Sequence, residues 1–141
     1  MRMAFVVGMA GSGKSLLTGS FVEWLRQQDQ DAVAVNLDPG ALSLPYEPDV
    51  DVRAYVTVEE VMEKYGLGPN GAIIAAADII ATYVKELEAE LDALAPDLAI
   101  VDTPGQMEVF AFRPSGLFIV ENLTSWPKAI IYLFDACFCL L

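Results

Sequence analysis

Short apolar runs alternate along the chain with longer segments whose apolar residues recur every three or four positions. Such short runs, ended by glycine, aspartate or proline, are typical of strands buried on both faces of a parallel sheet. Because strands that alternate with helices form βαβ units, the pattern predicts a doubly wound α/β fold with a mostly parallel sheet and helices on both faces. The predicted strands are residues 3–7, 32–37, 98–101 and 129–134.

The longer segments predict helices that pack one apolar face on this sheet. A capping box that starts at Thr57 predicts a short helix to Tyr65, and a long helix is expected over residues 72–94. Residues 66–71 predict a stiff loop between them, and residues 41–56 an irregular loop before them. The first helix is expected over residues 14–28, with a core-facing stripe of Leu17, Phe21, Trp24 and Leu25.

The composition indicates a compact and strongly acidic domain. The 141 residues are 55% hydrophobic with a mean hydropathy of +0.43, which excludes a disordered chain and suits one domain with one core. Twenty Asp and Glu against eight Lys and Arg give a formal net charge of −12. Because such a surface repels nucleic-acid phosphates, we expect no direct binding of DNA or RNA. A small anionic ligand needs a local positive site.

The cysteines and the last apolar run bear on the cellular compartment. Cys137 and Cys139 alone cannot complete a tetrahedral zinc site, and an i, i+2 pair on a strand points to opposite faces. We therefore expect ordinary buried thiols in a reducing cytoplasm. The apolar run of residues 129–141 is too short to span a bilayer and contains Asp135, so it predicts a buried strand and no membrane association.

A glycine-rich loop, residues 8–15, follows the first predicted strand and opens the first predicted helix. It matches the pattern G-x-x-x-x-G-K-[ST] at every fixed position. Backbone N–H groups of such loops and the N-terminus of the following helix bind anions, so the loop predicts a cradle for nucleotide phosphates. Lys14 is expected on the β- and γ-phosphates and Ser15 on Mg²⁺. The alternative is an ordinary glycine-rich turn. The candidate phosphate-binding residues are Gly8, Gly11, Ser12, Gly13, Lys14 and Ser15.

Acidic residues follow two other predicted strands. In an open parallel sheet the carboxyl ends of the strands form the ligand-binding edge, so Asp102 and Asp38 are expected to face the glycine-rich loop. Asp102 is then a ligand of Mg²⁺, and Asp38 binds a metal-bound water or accepts a proton from the nucleophile. Gly105 is placed to sense the γ-phosphate and Gln106 to orient the attacking water. The alternatives are a surface acid for Asp102 and plain Asp-Pro-Gly turn chemistry for Asp38.

Together these motifs resemble the GPN-loop GTPase family, in its archaeal type, over nearly the whole chain. The resemblance implies Mg²⁺-dependent hydrolysis of GTP to GDP in a homodimer, with protein clients. It also implies that Gly68, Pro69 and Asn70 reach toward the nucleotide site of the partner subunit, with Asn70 near the phosphates or the catalytic water. From the residues alone, the alternative for this tripeptide is a rigid turn between helices. The further runs that carry the resemblance are Asn36-Leu37-Asp38-Pro39-Gly40, Pro45-Tyr46-Glu47-Pro48 and Asp102-Thr103-Pro104-Gly105-Gln106-Met107-Glu108.

The same resemblance defines what the chain contains. Residues 1–141 are expected to be the N-terminal part of a P-loop GTPase domain, with the GPN insertion at about 57–95. The guanine-reading motif Asn/Thr-Lys-x-Asp is absent from the sequence, so we expect the guanine-recognition half to be missing. One alternative is a truncated, non-catalytic module for phosphate binding or dimerisation, without guanine specificity. Another is an ATP-using relative. Arg53 and Arg113 are candidate transition-state cations or ordinary ion-pair residues.

Overall fold

The computed structural model describes residues 1–106 and 110–136. Strands and helices alternate, as the hydrophobic pattern predicts. The described elements are β1 (Arg2–Gly8), α1 (Lys14–Gln27), β2 (Ala32–Asn36), β3 (Val50–Asp51), a 3-10 turn (Val52–Ala54), α2 (Val58–Tyr65), α3 (Pro69–Thr82), α4 (Val84–Leu94), β4 (Leu98–Asp102), α5 (Pro114–Asn122) and β5 (Lys128–Leu133).

The described strands form one parallel sheet in the order β3-β2-β4-β1-β5. Strand β4 lies between β1 and β2, and its last residue, Asp102, is in register with Val6 on one side and Asn36 on the other. Because all the strands run in one direction, their carboxyl ends meet at a single edge. The loops that carry the candidate site residues therefore leave the sheet side by side.

Alternate residues of the strands enter two apolar layers, one on each face of the sheet. On one face Ala4, Val6, Ala34 and Ile100 pack with Val22 and Leu25 of α1. On the other face the strands pack against helices α2 to α5. That larger layer includes Met3, Phe5, Val35, Val101, Val61, Ala76, Leu87 and Ile119. The prediction of helices on both faces is confirmed.

The core-facing stripe of α1 is as predicted at Leu17, Phe21 and Leu25, which pack on the sheet, but the prediction is wrong at Trp24. Trp24 is 54% exposed and stacks on Phe21 at the surface, with 6.0 Å between ring centroids. Thr18, Val22 and Leu25 face the sheet instead. Since each residue turns a helix by about 100°, burial of both Val22 and Leu25 rotates Trp24 outward.

The predicted long helix is two helices, and it starts earlier than expected. Tyr83 (φ −101°, ψ 13°) separates α3 from α4, and its ring packs on Tyr55 at 4.9 Å. Helix α3 begins at Pro69 and not at residue 72, because a proline in the first turn loses no helical hydrogen bond. The predicted loop of residues 66–71 therefore shortens to residues 66–68.

The segment predicted as an irregular loop, residues 41–56, contains β3 and the 3-10 turn. Val50 pairs with Val35, and both Val50 and Val52 are almost fully buried. A two-residue strand is too short for periodicity to detect, so only its pairing with β2 reveals it.

Strand β5 is present as predicted, but the expectation that it is fully buried is wrong. Ile131 and Leu133 pack against the α1 layer, whereas Ile130 is 69% and Phe134 71% exposed. The exposed Ile130 and Tyr132 of β5 and Phe134 just after it alternate along one face of the strand, which pairs only with β1 among the described strands and is an edge strand of the sheet. Cys137 and Cys139 lie outside the described residues. No helix of the described part of the chain is long and apolar enough to cross a membrane.

Candidate functional site

The glycine-rich loop connects β1 to α1 with backbone geometry that favours glycine. Gly11 (φ 78°) and Gly13 (φ 90°) adopt left-handed conformations that side chains rarely allow. Gly8 is required for a different reason. A Cβ atom there would lie 2.7 Å from the Leu133 carbonyl oxygen and 2.8 Å from Ser12 Oγ. These glycines let the chain turn tightly into the N-terminus of α1.

The N-terminus of α1 opens onto this loop without a capping side chain. Gly13 occupies the N-cap position and makes no side-chain hydrogen bond to the first turn. The first backbone N–H groups of a helix have no partner inside the helix, and the helix dipole adds partial positive charge there. The buried Ser12 hydroxyl beside them also lacks a hydrogen-bond partner. The loop is therefore built to receive an anion.

Lys14 is the cation of the site, and it is almost fully buried at 6% exposure. Its Nζ donates to the Met9 carbonyl oxygen at 3.0 Å, across the loop. Burial lowers the pKa of Lys14, while the carboxylates of Asp102 and Asp38 oppose that shift. A desolvated ammonium near two acids makes a compact charged centre at the mouth of the loop.

Asp102 ends β4 beside Lys14 and is 1% exposed. The Tyr46 hydroxyl donates to its Oδ2 at 3.1 Å, but its Oδ1 is buried without a hydrogen-bond partner. Burial raises the pKa of Asp102, and the hydroxyls of Ser15 and Tyr46 and the charge of Lys14 partly offset this. A buried carboxylate oxygen without a partner is costly unless a ligand uses it. The surface-acid interpretation of Asp102 is wrong.

Asp38 forms a turn and also faces the charged centre. Its Oδ1 accepts from the Gly40 backbone N–H at 2.9 Å, as turn chemistry predicts. Its charge nevertheless acts on Lys14, so the carboxylate lies near the mouth of the loop. The Asn36 side chain holds the turn on both sides, accepting from the Asp38 N–H at 3.0 Å and donating to its carbonyl oxygen at 3.2 Å.

The segment after β4 runs along the glycine-rich loop. Thr103 Oγ1 donates to the Val6 carbonyl oxygen at 2.7 Å and ties the segment to β1. A Cβ at Gly105 would lie 3.4 Å from Ala10 Cβ and 3.9 Å from Lys14 Nζ. Gly105 thus lies against the loop, and Gln106 follows with an exposed side chain.

The GPN tripeptide lies apart from this cluster. The near end of α2 is at the site, where the Val58 N–H donates to the Pro39 carbonyl oxygen at 3.1 Å. Helix α2 then runs for eight residues, about 12 Å, before residues 68–70 begin. All three residues are exposed. Hydrogen bonds within residues 1–106 and 110–136 do not join Asn70 to the glycine-rich loop.

Sequence reasoning missed a polar network beneath the Asp38 turn. Asn36 Nδ2 donates to Asp51 Oδ1 at 2.9 Å, and Arg53 Nη2 pairs with Asp51 Oδ2 at 2.7 Å. Arg53 Nη1 also reaches the Ala41 carbonyl oxygen at 2.9 Å. The one available signal was Asn36, a polar residue at the end of an apolar run. Arg53 is an ion-pair residue here, and so is Arg113, which pairs with Asp78 at 3.3 Å.

The donor set suits a cation that shares its coordination with phosphate and water. The described residues hold no group of three or more His, Cys, Asp and Glu side chains that could bind a metal alone. The half-buried Ser15 hydroxyl and the unpartnered Asp102 Oδ1 are the oxygen donors beside the loop. Mg²⁺ is commonly held by one or two protein oxygens together with nucleotide phosphates and waters, so these residues fit it.

The parallel sheet, the glycine-rich loop and the helix after it define an α/β protein of the P-loop class. A model of a family described as "conserved hypothetical ATP binding protein" matches residues 6–140. The chain is 46% identical over 132 residues to a GPN-loop GTPase of Pyrococcus abyssi and 39% identical over 133 residues to GPN-loop GTPase 1 of Schizosaccharomyces pombe. The chain therefore belongs to the family of that model and is a relative of the GPN-loop GTPases.

A solved structure gives the same result. The crystal structure of a GTPase in apo form from Pyrococcus abyssi matches with a TM-score of 0.81 and 42% identity, over 93% of this chain and 52% of that one. The two sequence matches cover 92% of this chain but only 51% and 36% of the relatives. The resemblance indicated by the motifs is confirmed, and the chain spans about half or less of the length of these relatives.

Proposed function

We propose that this chain forms the phosphate and Mg²⁺ site of a GTPase that binds GTP and hydrolyses it to GDP. One observation carries the proposal. The buried Lys14 ammonium and the unpartnered Asp102 Oδ1 lie together at an uncapped helix N-terminus. Each is costly to bury alone, and a triphosphate with its cation satisfies both.

The phosphates bind first through the backbone. N–H groups of residues 8–15 surround the β-phosphate, and Lys14 moves from the Met9 carbonyl oxygen to the β- and γ-phosphate oxygens. Ser12 Oγ, buried without a partner, donates to a phosphate oxygen as well. The Gly105 N–H, close to Lys14, senses the γ-phosphate.

The Ser15 hydroxyl and Asp102 would hold Mg²⁺, directly or through water, and Asp38 would bind one of its waters. When bound, the ion offsets the charge that develops on the phosphoryl oxygens. Gln106 orients the water that attacks the γ-phosphate in line, and Asp38 accepts its proton. Arg53 is tied to Asp51 and takes no direct part.

Asn70 acts in trans within a homodimer. Helix α2, which begins beside the Asp38 turn, is about 12 Å long, and the GPN tripeptide beyond its far end is exposed, as a contact with a second copy requires. Residues 57–95 are then an insertion whose function is completed by the partner subunit. Protein clients and a cytoplasmic location are part of the same proposal.

The nucleotide base is the part of the proposal that the sequence supports least. The guanine-reading motif is absent from the 141 residues. The description of the matching family model names ATP, whereas the relatives are named GTPases. The second candidate function is therefore a phosphate-binding or dimerisation module without guanine specificity.

A titration separates the two candidates. Fluorescent GDP and ADP analogues are titrated into the full chain with Mg²⁺ present, while light scattering reports its mass. We expect tighter binding of GDP and a dimeric mass. Equal affinities for the two analogues would support the module without guanine specificity, and no binding at all would contradict both.

A further inference from the structure

The Tyr46 hydroxyl connects the site to a distant part of the chain. Tyr46 lies 56 residues before Asp102 in the sequence, yet its hydroxyl donates to Asp102 Oδ2 at 3.1 Å. The carboxylate oxygen is the acceptor of this hydrogen bond and the phenol is its donor. The contact occupies one oxygen of the carboxylate, while the other, Oδ1, accepts no hydrogen bond of ordinary length and angle from the described residues.

Residues 45–49, here called the strap, hold Tyr46 in this place. At its end, Asp49 Oδ2 accepts from the Ala34 backbone N–H at 2.7 Å and from Arg26 Nη2 at 2.8 Å. The Asp49 N–H donates in turn to the Ala34 carbonyl oxygen at 2.8 Å. Pro45 and Pro48 restrict the backbone of the strap. The strap is therefore anchored to both β2 and α1.

Gly19 of α1 makes room for the Tyr46 side chain. A Cβ at Gly19 would lie 2.9 Å from Tyr46 Cβ and 3.3 Å from its ring. Glycine inside a helix costs about 1 kcal/mol relative to alanine, so its presence here is explained by this close approach. The ring therefore passes directly over the helix that follows the glycine-rich loop.

We propose that Tyr46 is a positioning residue for the metal site, and the inference rests on the GTPase function proposed above. Its hydroxyl fixes the Asp102 carboxylate in one orientation and presents Oδ1 to Mg²⁺ or to a water of the ion. Hydrogen-bonded partners behind a metal ligand change metal affinity about 10- to 100-fold when they are removed. Tyr46 thus affects the ion without contacting it.

The test uses Tyr46→Phe in the full chain, because this change keeps the ring and removes only the hydroxyl. A fluorescent GDP analogue is titrated at a series of Mg²⁺ concentrations and again in EDTA. We expect the Mg²⁺ concentration for half-maximal affinity to rise about 10-fold, with the affinity in EDTA unchanged. The matched control is Tyr55→Phe, whose hydroxyl also donates to a carboxylate, that of Glu90, on another part of the chain; it should behave like the wild type.

Gly19→Ala tests the same contact from the other side. The new methyl group displaces the ring without removing the hydroxyl, and alanine favours the helix, so the chain should fold. We expect a change in Mg²⁺ dependence in the same direction as for Tyr46→Phe, and smaller.

The outcomes separate this inference from the proposed function. If the wild type binds GDP in a Mg²⁺-dependent manner and Tyr46→Phe does not differ from it, the positioning role is wrong and the GTPase proposal stands. A loss of affinity in EDTA equal to that in Mg²⁺ would also contradict it, because that loss indicates a general structural role. If nucleotide binding by the wild type does not depend on Mg²⁺, both the proposed Mg²⁺ site and the positioning role of Tyr46 are wrong.

Discussion

Two glycine-containing segments of this chain differ in how far one subunit completes them. The loop of residues 8–15 lies beside Asp102 and Gly105 at the carboxyl edge of the sheet, and Ser12 Oγ and Asp102 Oδ1 are buried there without a hydrogen-bond partner among the described residues. Residues 66–71 lie at the far end of α2 and are exposed, although Leu67 is only 37% exposed. Among the described residues they make no hydrogen bond to the first segment.

The difference shows that a short motif predicts a binding site only when the strands and helices on either side of it can be predicted as well. The first segment lies between a strand and a helix, so its neighbours follow from the βαβ connection. The second segment lies between helices α2 and α3, and its hydrogen bonds within the described residues do not reach the glycine-rich loop. The proposed role of Asn70 in a partner subunit would account for this position, and the following changes test that contrast.

The largest effect is expected from Lys14→Ala. It removes the buried cation of the site, and a hydrogen bond between charged groups contributes about 1.5–3 kcal/mol, so affinity for the fluorescent GDP analogue should fall about 100-fold or become undetectable. The control is Lys85→Ala, an exposed lysine on α4. Unchanged binding by a folded Lys14→Ala chain would falsify the phosphate site.

Gln106→Ala should slow GTP turnover while nucleotide affinity stays within about 2-fold of the wild type. Positioning of the nucleophile typically contributes about 100-fold, and the exposed Gln106 has no structural partner to lose among the described residues. Single-turnover hydrolysis and equilibrium binding are measured on the same sample. Lost affinity with normal turnover of the bound fraction would contradict the role given to Gln106.

Asn70→Ala should slow turnover about 10-fold and also spare binding. Mixing sharpens the result, because a Lys14→Ala subunit cannot bind nucleotide but still supplies Asn70 to its partner. An equal mixture of the two variants should therefore turn over GTP faster than the Asn70→Ala chain alone at the same concentration of that chain. If the mixture stays as slow as its components, Asn70 does not act across the dimer.

The smallest effect concerns stability. Burial alone would raise the pKa of Asp51, but hydrogen bonds from Arg53 and Asn36 hold that pKa below its ordinary value. A lowered pKa in the folded state means that this stabilisation is present above about pH 4 and is lost as the pH falls further. Asp51→Asn should reduce the free energy of unfolding by about 1–3 kcal/mol at pH 7 and flatten its acid dependence.

Urea unfolding at pH 7 and below pH 4 measures this. The comparison variant is Asp78→Asn, which breaks the surface pair with Arg113 and should change stability by less than about 1 kcal/mol. Equal losses of the free energy of unfolding in the two variants would show that the network below the Asp38 turn contributes no more to stability than a surface ion pair.

Much of the fold follows from local pattern. The apolar runs located β1, β2, β4 and β5, and the capping box at Thr57 is present as predicted, with the Glu60 N–H donating to Thr57 Oγ1 at 3.3 Å. Strand β3 and the break at Tyr83 were missed because both depend on distant partners. Val50 is a strand residue only through Val35, and Tyr83 packs on Tyr55.

The site divides in the same way. Gly8 to Ser15, Asp38, Asp102 and Gly105 were predicted from spacing, and the structure brings them to one edge of the sheet. Tyr46 stands out in the sequence only as part of the run Pro45-Tyr46-Glu47-Pro48, because a tyrosine in a loop gives no sign of the carboxylate that it contacts in the folded chain. The local sequence likewise gives no sign that Asp51 binds both Asn36 and Arg53.

The sequence by itself determined the succession of the main strands and helices along the chain, the glycine-rich loop and the acids at the strand ends. Helix periodicity, turn chemistry and loop spacing are local properties, so they can be read without the fold. Only the tertiary structure decided which oxygen of Asp102 is held by Tyr46, why residue 19 is glycine, and that Asn70 lies away from the site. Those facts depend on contacts between segments far apart in sequence, and such contacts arise only when the chain packs.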